Sequence, residues 1–156
     1  MKYYRKKYIR GGKRDKYSVE QSVFQTTVNA SSQTANSVVP ATTLQGMRKV
    51  KHLTVTLGSG TSNDEAIWAL VYVPSGTTPS SLQLSQVPSA STALYEPNQY
   101  VMGCGIVDFS AGPCKFVCPV ARNLNSGDQI YLLLANTTTT NPMIVTACVR
   151  YAVTLN

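Results

Sequence analysis

Carboxylates are scarce in this chain of 156 residues: Glu occurs three times, and Asp and Glu together seven times. Val and Thr occur 17 times each and Tyr nine times, a balance that favours strands over helices. His52 is the one histidine, so no second imidazole exists to complete a nucleophile and base pair with any serine. It falls on the polar side of an alternating stretch, where a solvated imidazole is the plain reading. Outside the first twenty residues the acids are Asp64, Glu65, Glu96, Asp108 and Asp128. They sit in or beside turns, where carboxylates shape the backbone, and no glycine loop of the phosphate-cradling kind occurs. These absences argue against an enzyme. No apolar run approaches the roughly 18 residues that span a bilayer as a helix, which predicts a soluble chain. A basic N-terminus leads into Gly11, Gly12, Lys13 and Arg14 rather than into an apolar segment, so a secretory signal is not expected.

Without a secretory route, Cys104, Cys114, Cys118 and Cys148 read as reduced, mostly buried thiols. Cys114 and Cys118 come near zinc-ligand spacing. On one extended strand, however, they would stand about 13 Å apart, too far for a disulfide or for one tetrahedral ion. No metal and no cofactor is expected.

What the chain does have is charge of one sign at one end. Residues 1–20 hold eight basic side chains, Lys2, Arg5, Lys6, Lys7, Arg10, Lys13, Arg14 and Lys16, against Asp15 and Glu20, a net of +6. The other 136 residues hold six basic and five acidic groups. Such a block repels itself and has little to bury, so residues 1–17 are predicted to be a disordered arm that meets a polyanion. Phosphate contacts by Lys and Arg release condensed counterions. Tyr3, Tyr4, Tyr8 and Tyr17, threaded among the cations, supply rings on which unpaired bases stack at roughly 1–3 kcal/mol each. The combination suits single-stranded nucleic acid, and the same run can serve as a nuclear-import signal. A second basic group, Arg48, Lys49 and Lys51, is a candidate to extend the nucleic-acid surface.

Residues 18–156 read as one all-β domain. Residues 18–29 form a strand whose Val19 and Val23 oppose Phe24 and Val28, a change of face between Val23 and Phe24 that predicts a bulge or a twist there. A loop is expected over 30–36 and a short strand at Val38 and Val39. Lys49 to Leu57 alternates, with Leu53, Val55 and Leu57 on one face. Ala66 to Val73 and Gln129 to Ala135 are apolar on both faces and need cover on both. A long loop fills 74–98, and loops of that length tend to be functional surfaces. Strands follow at Tyr100 to Val107 and at Pro113 to Ala121. The run Thr137 to Thr140 reads as a turn, and Met143 to Leu155 is the longest amphipathic strand. Seven or eight strands without a helix predict a single antiparallel sandwich of jelly-roll type.

Four segments, VVPATTLQGMRKVKHLTVTL (38–57), WALVYVPSGT (68–77), LYEPNQYVM (94–102) and ARNLNSGDQIYLLL (121–134), resemble in order and spacing the capsid proteins of small circular single-stranded DNA viruses of the circovirus-like group. The resemblance implies a jelly-roll subunit, a self-assembled icosahedral shell of sixty copies (T=1), and an arm that faces the packaged DNA and serves nuclear import. It implies a location in the virion and, during assembly, in the host nucleus, with the import machinery and a host receptor as further partners. Expressed alone, such a subunit is expected to take up RNA as well. The chain departs from the family in its shortness and in a short arm with more Lys and Tyr than the long arginine-rich arms usual there. Two other readings stay open at this level: a monomeric nucleic-acid-binding β module, and a jelly-roll ligand-binding module that uses the 74–98 loop.

Overall fold

A computed structural model of the chain describes residues 17–60, 65–79 and 100–155. The predicted arm up to Lys16, the turn at 61–64 and most of the 74–98 loop lie outside the described residues. Among the described residues nine strands follow in order: β1 (Ser18–Val28), β2 (Gln33–Val39), β3 (Arg48–Ser59), β4 (Glu65–Val73), β5 (Tyr100–Asp108), β6 (Cys114–Val117), β7 (Arg122–Leu124), β8 (Gln129–Asn136) and β9 (Met143–Leu155). A 3-10 turn, Phe109–Ala111, is capped by the Asp108 carboxylate, which accepts from the Ser110 amide at 2.8 Å.

The pairing explains the topology. β1 pairs with β9, β2 with β8, β3 with β6 and β7, and β4 with β5, all antiparallel. The chain is therefore one long hairpin folded back at the connection between β4 and β5. Rolling that hairpin brings β9 against β3 and β8 against β4. Two sheets result, A with the order β1-β9-β3-β6 and β7 also on β3, and B with the order β2-β8-β4-β5. This is the jelly roll that the strand pattern predicts.

The core lies between the sheets. Leu53, Val55 and Leu57 of β3 face Leu132 and Leu134 of β8 and Leu70 of β4 across it, all essentially inaccessible to solvent. Met143, Val145, Ala147, Val149 and Tyr151 form the buried side of β9, as the alternation predicts. Trp68 of β4 stacks on Phe116 of β6 with ring centroids 4.1 Å apart, tying sheet B to sheet A. The indole needs room beside it. A Cβ on Gly105 would stand 3.0 Å from Trp68 Nε1, and one on Gly103 3.5 Å from the ring.

β4 and β8 are neighbours in the middle of sheet B, which accounts for their being apolar on both sides. Ala69, Val71, Val73, Leu133 and Ala135 make a second buried cluster on the outer face of that sheet, with Ile67 and Tyr131 beside it.

Several local expectations are corrected. β1 runs against β9 without a register shift. Phe24 and Val28 turn inward, and Val19 and Val23 lie exposed at 59% and 62% on the outer face, so no bulge is needed to reconcile them. The expected loop at 30–36 gives way to β2 from Gln33 on, because this strand is paired along β8. The expected strand over 113–121 is shortened to β6, which ends at Val117 just before Pro119, a residue with no N–H to give the ladder, and β7 follows beyond that range at Arg122–Leu124. The thiols are less buried than expected: Cys118 is buried, Cys114 and Cys148 are half-buried, and Cys104 is exposed.

The bulge sits in β3 instead. The register against β9 slips between Lys51 and Thr54, so that His52 and Leu53 together oppose Tyr151. His52 takes φ +54, the left-handed region that non-glycine residues avoid. The insertion lets Val50 and Leu53, three positions apart, both point into the core.

Candidate nucleic-acid interface

The strand alternation sorts the cations. With Val50 and Leu53 pointing inward, Lys49 and Lys51 stand on the outer face of sheet A, and His52 is exposed there. Arg150 of β9, between buried Val149 and Tyr151, stands on the same face, level with Thr54 of β3 and Gln21 of β1. Lys115 of β6, between the inward-facing Cys114 and Phe116, adds a fourth cation level with Thr56. The Glu20 carboxylate bonds Tyr151 from the inner side of the β1–β9 pair, and Glu65, Asp108 and Asp128 lie elsewhere. Among the described residues, then, this face carries Lys49, Lys51, Lys115 and Arg150 with no carboxylate.

The root of the arm lies on this face as well. Tyr17, the first described residue, precedes β1, and its ring carries the Lys51 ammonium 4.9 Å from the centroid. A cation over an aromatic face at that distance is attracted by the ring quadrupole. The arm thus starts beside Lys51, and its charge adds to that of the sheet. Lys2, Tyr3, Tyr4, Arg5, Lys6, Lys7, Tyr8, Arg10, Lys13, Arg14 and Lys16 all lie outside the described residues, which begin at Tyr17.

Arg48 parts company with Lys49 and Lys51. It shares the parity of Val50 and points to the end of the sandwich, where its Nη2 donates to the Pro40 carbonyl at 2.9 Å and to the Asp128 carbonyl at 3.4 Å. Arg122 likewise lies on the inner side, 4.4 Å over the Tyr72 ring. Both cations pack the end of the core around Asp128. That carboxylate is buried and accepts from the Tyr72 hydroxyl (2.7 Å), the Asn125 amide (2.7 Å) and the Ser75 amide (3.0 Å). Burial alone would raise its pKa, but these bonds together hold it below the ordinary value. The turn it organises needs Gly127, at φ +85, where any Cβ would stand 2.3 Å from Ser75 Oγ.

Under the outer face, the Tyr151 hydroxyl donates to Glu20 at 2.5 Å. Burial, followed by the bond to Glu20 and its charge, raises the phenol well above its usual pKa, so it stays a donor.

Lys115 and Arg150 escape the sequence reading because each is an isolated cation in its own strand. Only the antiparallel registers bring them level with Thr56 and Thr54, on the face that holds Lys49 and Lys51. No three His, Cys, Asp or Glu side chains among the described residues come together as a metal site.

No protein-family model matches the chain, and no curated protein sequence does. Among solved structures, it is similar in fold to a mitogen derived from Yersinia pseudotuberculosis, at 11% identity and a TM-score of 0.42, over 88% of this chain and 86% of that one. A structure of Desmodium yellow mottle tymovirus aligns at 15% identity and 0.40, over 91% and 89%. One of Sulfolobus turreted icosahedral virus aligns at 14% and 0.46, over 88% of this chain and 30% of the other.

Proposed function

We propose that this chain is a structural capsid subunit. Copies of it close into an icosahedral shell, and the arm of residues 1–17, together with the outer face of sheet A, holds a single-stranded DNA genome inside. The observation that carries the reading is the partition of charge. Arm root, Lys49, Lys51, Lys115 and Arg150 share one face, whereas the outer face of sheet B is apolar. A shell gives the two faces opposite neighbours, with the polyanion on one side only. Its subunit contacts would use exposed apolar groups near the strand edges of sheet B, such as Ile106 on β5.

Weak arm contacts add up in such an assembly through multivalency. Sixty arms of net +7 neutralise on the order of 420 phosphates, and the four cations of sheet A extend that number.

Sedimentation of the expressed chain, with nuclease-protected nucleic acid measured in the fast fraction, tests the proposal. Large uniform particles are expected, and removal of residues 1–17 is expected to reduce their nucleic acid far more than it reduces folding. A chain that stays a small species at every salt concentration is instead a monomeric binding module.

A further inference from the structure

The β3 bulge leaves a concavity of about 300 Å³ on the outer face of sheet A, lined by Val19, His52, Thr54, Arg150, Tyr151 and Ala152. We infer that it is a pocket for one nucleotide of a single strand, with the phosphate on Arg150 and the base laid against Val19 and Ala152; this deepens the capsid reading and rests on it.

Four observations converge there. The volume is at the lower end of the range of about 300–1,000 Å³ for small-molecule sites. Its walls are divided by chemistry. Val19, 59% exposed although a large aliphatic residue, and Ala152 directly across from it on β9 form an apolar patch. Arg150, Thr54 and His52 form a polar edge. Arg150 makes no hydrogen bond or ion pair among the described residues and faces no carboxylate, which leaves its planar fork of donors for a phosphate. Finally, the chain accepts a left-handed residue at His52 to place an imidazole at the rim. Bulges re-aim side chains beside functional sites, and strain of this kind concentrates where a ligand is clamped.

The arm enters at the same place. Tyr17 lies two residues before Val19, and Lys51, which holds the Tyr17 ring, pairs in register with Ala152 at the pocket. A strand collected by the arm is thus delivered to the concavity, where an unpaired base finds an apolar wall and its phosphate a guanidinium. An acidic peptide would use Arg150 but would leave the apolar wall without a planar partner, so the nucleotide fits better.

The test uses the full chain with two probes of equal length, a short oligodeoxythymidylate and an abasic deoxyribose-phosphate strand, both fluorescently labelled. Two exposed positions are varied, Val19→Ser and Arg150→Gln, with thermal unfolding confirming that each variant folds. Val19→Ser is expected to weaken the base-bearing strand about fivefold while leaving the abasic strand within about twofold. Arg150→Gln is expected to weaken both and to lower the salt slope by about one. A photoreactive thymidine in the strand should crosslink to β1 or β9 at the pocket. If the wild type binds DNA but both variants bind it equally well, the pocket is wrong and the capsid reading stands. If the wild type binds neither strand, both fall. Displacement of the strand by polyglutamate at the concentration at which free oligodeoxythymidylate displaces it would overturn the nucleotide assignment in favour of an acidic peptide.

Discussion

The Lys51 ammonium rests over the Tyr17 ring, 4.9 Å from its centroid, and this pairing fixes the side of the jelly roll from which the basic arm departs. At a partly exposed site such a contact contributes about 0.5–1 kcal/mol. Tyr17→Ala is therefore expected to lower unfolding stability by no more than about 1 kcal/mol while loosening the arm's first residues. Limited proteolysis checks the second part: cleavage should advance from the arm to the start of β1 in the variant.

Burial and strain pull in opposite directions at the bulge, and two neighbouring substitutions separate them. Leu53→Ala empties a fully buried site and is expected to cost about 2–5 kcal/mol. His52→Gly relieves the left-handed conformation and is expected to be neutral or to stabilise by up to about 1 kcal/mol. Denaturant unfolding of both, with unchanged slopes, is the measurement.

The Asp128 carboxylate supplies a pH dependence. Its folded pKa lies below the ordinary value of 3.8 because Tyr72, Asn125 and Ser75 donate to the charged form. The stability it contributes is full above the unfolded pKa and is lost as pH falls from about 4 through the folded value. Asp128→Asn is expected to cost about 2–3 kcal/mol at neutral pH and to flatten this acid limb. Thermal melts at pH 3 to 7 would show a wild-type curve that converges on the variant's at the acid end.

Much of this fold was legible in the sequence, because a half-buried strand writes its alternation directly. β3 from Leu53 to Leu57 and β9 from Met143 to Tyr151 are examples, and the doubled apolarity of β4 and β8 showed that both faces need cover, though not that the two strands are neighbours in the middle of one sheet. The bulge was misplaced for an equally physical reason. Val19 and Val23, opposite Phe24 and Val28, simply lie on the outer face with no slip, while the true slip at His52 hides between Val50 and Leu53, whose spacing has no meaning until both are known to be buried. The concentration of positive charge in residues 1–20 was visible as composition. The surface of sheet A was not, since Lys115 and Arg150 come level with Thr56 and Thr54 only through pairing between distant strands, and Arg48, adjacent to Lys49 in sequence, faces the other way.

A substitution at the rim of sheet B probes association without touching the core. Ile106 is 67% exposed on β5, so Ile106→Lys is expected to change stability by less than about 0.5 kcal/mol. Sedimentation is expected to show fewer or no particles for this variant, since a charge there must be desolvated if the edge meets another copy.

Electron cryomicroscopy of the particles formed by the full chain reaches the central claim most directly, because it shows which sheet faces the nucleic acid. The account predicts closed shells in which Lys51, Lys115 and Arg150 line the lumen against packaged density and the outer face of sheet B points away from it. Shells with sheet A on the exterior, or preparations with no closed shell at all, would contradict it.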